Sequence, residues 1–226
     1  MSTVFYRKSV FVVLLSAFVF TVSCLFYARS FQNAHTVDVG ADFYLLTSLD
    51  EDASVGVEYT KLDGGAGYFL KYGGQEYAVW SLYFDEETGE TVQSRLESSG
   101  KKTRLVHVGT DTVCFRTLRE KQQEKPTVEL LNIVKGCMQV LGETVSRLEK
   151  GMTQEKAKTI LTLLSKQLNF CGREYASNVS GLASVCTESA QRLDTMAGDT
   201  VYSDKLMYEL CFLADGYLSS CSQFAL

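Results

Sequence analysis

The sequence predicts an α+β module followed by an all-α helical bundle, behind an N-terminal segment apolar enough to cross a membrane. Three observations predict it. Ser9–Ala28 is apolar and uncharged. Between Gly67 and Val108, strand-like runs flank a Gly-Gly pair and then give way to a helical pattern and a further strand. From Leu131 onward the apolar residues recur every three or four positions.

The elements follow in chain order. Residues 1–8 form a short basic leader. About 20 residues at 1.5 Å rise span a ~30 Å hydrocarbon core, so residues 9–28 suffice for a transmembrane anchor in the lipid bilayer. Arg7 and Lys8 precede the run and Arg29 follows it. That bias places the N-terminus in the cytoplasm and the bulk of a single-pass cell-membrane protein outside. A cleaved signal peptide is one alternative, against which the large Leu25-Phe26-Tyr27 counts. A lipoprotein signal ending at Cys24 is another, against which the apolar residues after it count. All three put the remainder outside the cytoplasm. Residues 29–40 are polar and read as a tether.

Residues 41–108 make the α+β module. Asp42–Leu49 is the first strand, and Val55, Tyr59 and Leu62 recur at helical spacing after it. Gly64–Gly67 is a turn without the spacing of a nucleotide loop. Gly67–Tyr72 and Glu76–Phe84 are strands. Gly73-Gly74 between them suits a type I′ turn, which needs φ > 0 at both central positions. Asp85 is placed to cap the next helix, Val92 and Leu96 share one of its faces, and Gly100 ends it. Lys101–Val108 is the last strand. Strand, helix, strand, strand, helix, strand is the split βαβ, or ferredoxin-like, arrangement. It implies one antiparallel sheet with both helices on one face and the other face open to water. Alternation along the third strand puts Ala78, Trp80, Leu82 and Phe84 under the helices. It puts Tyr77, Val79, Ser81 and Tyr83 on the open face.

The stretch YAVWSLYFDEETGETVQSRLESSGKKTRLV resembles the second half of a SPOR (sporulation-related repeat) domain. Shared features are a strand ending in the aromatic Tyr83, the acidic turn Asp85–Glu87, a helix closing on Arg95-Leu96, Gly100, and the strand Arg104–Val108. The family often has Gly-Pro before that aromatic, where this chain has Ser81-Leu82. The resemblance implies a bacterial cell-wall binding protein of cell division or sporulation type, holding peptidoglycan glycan strands on the open sheet face. Position by position, the implied glycan-binding residues are Gln75, Tyr77, Val79 and Ser81, with Leu45 and Thr47 on the first strand. Rings beside amides and hydroxyls suit sugars.

Residues 109–125 read as a charged connector and 126–226 as a bundle of three or four helices. Pro126, the only proline, fits a first helical turn. Leu131, Val134, Met138, Leu141, Val145 and Leu148 form a first seam, and Leu161, Leu164, Leu168 and Cys171 a second. Leu206, Leu210, Leu213 and Tyr217 mark the last helix. Cys171, Cys186 and Cys221 fall on or beside these seams, as small buried thiols would. Asn178-Val179-Ser180 matches a glycosylation sequon, on a stretch read as helix.

Net charge is −5, which argues against nucleic acid as a partner. Seven cysteines include no C-x-x-C pair and the two histidines are far from any cysteine cluster, so no metal or other cofactor is implied. There is no G-x-S-x-G or H-E-x-x-H pattern. The expectation is a non-enzymatic protein: a membrane-anchored glycan binder, or a membrane-tethered protein–protein interaction or regulatory module whose bundle docks a partner.

Overall fold

A computed structural model describes residues 35–49 and 53–224. The Ser9–Ala28 run and Cys24 lie outside the described residues, and none of the described helices is long and apolar enough to cross a membrane. The chain is α+β. Four strands, β1 (His35–Ser48), β2 (Tyr68–Tyr72), β3 (Gln75–Tyr83) and β4 (Thr103–Phe115), form one sheet in the order β2-β3-β1-β4. All neighbouring strands are antiparallel. Helices α1 (Ala53–Leu62) and α2 (Glu86–Ser98) follow β1 and β3. Four further helices follow β4: α3 (Leu118–Glu149), α4 (Gln154–Glu174), α5 (Ser180–Ala197) and α6 (Ser203–Ser222).

Local chemistry behaves as expected at the turns. Gly73 and Gly74 take φ of 58° and 79°, as a primed hairpin turn requires. Asp85 caps α2 by accepting the Thr88 N–H at 2.7 Å.

Several boundaries differ from the expectation. The tether ends before His35, because residues 35–40 already pair with the far end of β4. The connector does not exist as such. β4 continues to Phe115, and α3 starts at Leu118 under a capping box between Thr117 and Glu120. Thr117-Leu118-Arg119-Glu120 is a legible signature of that start, and it leaves Pro126 well inside the helix. The second seam divides into α4 and α5. Where they cross, a Cβ on Gly172 would sit 2.1 Å from the Thr187 hydroxyl and 3.0 Å from the Ala183 carbonyl, so only glycine allows the approach. The sequon lies in the turn between these helices, with Asn178 ahead of the α5 start rather than within a helix.

The main correction concerns the sheet. Neither face is open. α1 and α2 cover one side, and α6 with part of α3 fills the other. Phe43 meets Phe84 and Tyr217 edge-on at 5.8 and 6.1 Å. The Tyr68 hydroxyl donates to Asp215 of α6 at 2.8 Å, and the Tyr217 hydroxyl to the Val39 carbonyl at 3.3 Å. Tyr72 donates to the Gly109 carbonyl at 2.5 Å, so the two outer strands meet and the sheet curls around α6. The core is continuous from the strands into the bundle.

A bulge in β3 reassigns its faces. Leu46 pairs with Ser81 but Thr47 with Val79, which leaves Trp80 as the extra residue. Tyr77 and Val79 therefore share the bundle side with Leu82 and Phe84. Trp80 lies under α1, edge-on to Tyr59 at 6.1 Å. The apolar stripe of α1 also faces outward: Val55 and Leu62 are 59% and 85% exposed, while Gly56 and Thr60 are buried.

Candidate functional site

The residues implied for glycan binding are not a surface. Leu45 and Val79 are fully buried, and Thr47, Ser81 and Tyr77 nearly so. Thr47 donates its hydroxyl to the Arg104 carbonyl at 3.1 Å, and Ser81 donates to the Tyr83 hydroxyl at 2.8 Å. The Tyr77 hydroxyl donates to the Gln75 amide oxygen at 2.7 Å. Only Gln75, beside the hairpin turn, is exposed. The bundle occupies the face on which the others, Ser81 excepted, were to meet a ligand. Ser81 sits on the opposite face because of the bulge.

The two histidines are each bonded to a carboxylate at the surface. His35 Nδ1 is 2.8 Å from Glu124, and His107 Nε2 is 2.8 Å from Asp42 with Tyr44 beside the ring. The described cysteines, from Cys114 to Cys221, are free and buried. Burial pushes Cys137 and Cys186 up to about 12 and Cys221 likewise, so these thiols stay protonated at neutral pH. Among the described residues no group of His, Cys, Asp and Glu could hold a metal ion.

What the fold does create is a cleft where three layers meet. β2 is short and pairs with β3 only from Gln75 to Val79. Past that point the Trp80 carbonyl accepts the Ala66 N–H at 2.7 Å, and then the edge of β3 is bare of strand partners. The Leu82 N–H points off this edge. Its acceptor is the Met207 thioether at 3.3 Å, and a thioether is a weak acceptor. In an antiparallel strand the N–H and C=O of a residue point to the same side, so the Leu82 carbonyl faces the cleft too.

α2 supplies one wall with Val92 and Arg95, and α3 the other with Val145 and Glu149. The space between them is about 660 Å³, and a smaller recess of about 200 Å³ continues it past Ser81 toward Asp204. Tyr83 stands between the two. Burial raises its phenol, so it remains a neutral hydrogen-bonding group. The acids around the cleft are Asp85, Glu143, Glu149 and Asp204, against Arg95 and Lys150. Shallower depressions of about 490 and 380 Å³ flank the N-terminal half of α3, near Val37 and Phe170.

No signal in the sequence marks this site. Its parts lie on β3, α2, α3 and α6, and Leu82 belongs to it through its backbone alone. Compared with known protein-family models, curated proteins and solved structures, the chain matches none of them.

Proposed function

We propose that the chain is a non-enzymatic binding protein that holds another protein in the cleft between β3, α2 and α3. One observation carries this reading: the bundle fills the sheet face that glycan binding would use, while the edge of β3 stays accessible in a cleft large enough for a chain segment. The membrane tether and extracytoplasmic placement rest on the Ser9–Ala28 run and its Arg7-Lys8 flank. The order β2-β3-β1-β4 with helices after β1 and β3 supports a ferredoxin-like first half. That order supports the SPOR resemblance as a resemblance of fold. The carboxylate-paired histidines and buried protonated thiols favour binding over catalysis.

Photo-crosslinking tests the reading in cells. A benzophenone side chain at Val92, on the cleft wall, should give a discrete protein adduct, and one at Gln191, exposed on α5, should not. A parallel pull-down on purified sacculi, with and without amidase treatment, covers the glycan alternative. Retention that rises after amidase treatment, with no adduct at Val92, would return the function to the cell wall.

A further inference from the structure

Resting on the protein-docking reading, we propose that the occupant of the cleft is an extended, basic peptide segment that adds as a strand to the free edge of β3. Two independent observations point there. The first is the hydrogen-bonding state of Leu82. Its N–H is held by a thioether at 3.3 Å, and its carbonyl faces the same open side. An incoming strand offers that pair a carbonyl and an N–H at once, the closely spaced exchange of an antiparallel ladder. Met207 is an unbranched side chain that can swing aside to admit it. The new strand would continue the line of β2, which stops pairing at Val79.

The second observation is charge. Four acids border the cleft against two bases. Asp85 is engaged at the α2 cap and Glu143 with Arg147. Glu149 and Asp204 stand at the open end without such an engagement. An extended peptide alternates its side chains, so one row of lysines or arginines would run along Glu149 and Asp204. The other row would meet Val92, Val145 and Met207. Basic–apolar alternation is therefore the pattern that both walls accept.

The test uses three labelled peptides with the full-length protein in detergent: alternating Lys-Val, alternating Glu-Val, and the Lys-Val peptide N-methylated at every second residue. The Lys-Val peptide should bind and should slow hydrogen exchange at the Leu82 amide. N-methylation, which removes the ladder donors, should weaken binding about tenfold or more. Glu149→Lys should weaken it by about as much, and Glu155→Lys, exposed on α4, should leave it unchanged. Thermal melts of both variants check that they fold. Equal binding of all three peptides, binding without protection of Leu82, or no binding would each overturn the strand-addition inference. If the Val92 crosslink forms while the peptides fail, the docking reading stands without it. If both fail, neither stands.

Discussion

Separating the sheet module from the bundle should unfold the module, and the magnitude follows from what the bundle covers. Phe43, Leu45, Leu70, Val79, Leu82, Val108 and Phe115 lie on the bundle side of the sheet or along its ribbon, each no more than 2% exposed. Fully burying such a side chain is worth about 1.5–3 kcal/mol. Seven of them together represent roughly 10–20 kcal/mol. If the bundle supplies only half of that cover, its loss still costs about 5–10 kcal/mol, comparable to the whole stability of a domain. Residues 35–116 and 117–226 made separately should therefore fail to melt cooperatively or should aggregate. Co-expressed, they should associate through the same interface and recover strand and helix signals. Circular dichroism and amide NMR spectra of the two fragments, alone and mixed, measure this. A 35–116 fragment that shows dispersed amide resonances and a cooperative melt by itself would refute the reasoning, because it would mean that the sheet does not depend on α6 for its second face.

Three further outcomes are expected. Glu209 is fully buried, bonded to Arg192 Nε at 2.5 Å and to Ser189 at 3.1 Å. Glu209→Ala should cost about 3 kcal/mol, toward the low end for a broken buried pair because Arg192 keeps 37% exposure. Burial pushes the Glu209 carboxyl up despite Arg192 and Ser189, and raises Asp215 as well. Acids raised on folding bind protons more tightly when folded, so their contribution to stability falls as pH climbs above the ordinary carboxylate range. Glu209→Gln should make melting temperature less dependent on pH between 5 and 8, and identical slopes would contradict the assignment. Gly65→Ala would place a Cβ 2.7 Å from the Trp80 ring and 2.9 Å from the Thr60 carbonyl. It should cost about 1–3 kcal/mol and red-shift the emission of Trp80, the sole tryptophan; an unchanged spectrum and melt would show that α1 yields without cost. In Cys24→Ser protein at pH 8, the six remaining thiols should be silent to a disulfide reagent until denaturant is added. A fast-reacting native thiol would show that one of them is accessible.

The sequence by itself determined which elements exist. Alternation, the Gly73-Gly74 turn, the Asp85 cap and the 3-4 seams are local, and local periodicity reports the backbone state directly. It also marked the leucines that fill the bundle. Faces and partners were decided only by tertiary structure. One extra residue at Trp80 inverts the side-chain alternation of β3, because the strand period is two and a single insertion exchanges the faces. A sheet with both faces covered still shows tyrosines and serines on the side that reads as wet, and here Tyr68 and Tyr77 satisfy their hydroxyls within the fold. Helical spacing found α1, yet Gly56 and Thr60 let it sit close to the sheet and turned Val55 and Leu62 outward. The cleft is further from the sequence than any of these. It exists because β2 is shorter than β3 and because α2 and α3 stand apart over the edge that remains, and no spacing along the chain encodes a gap between elements.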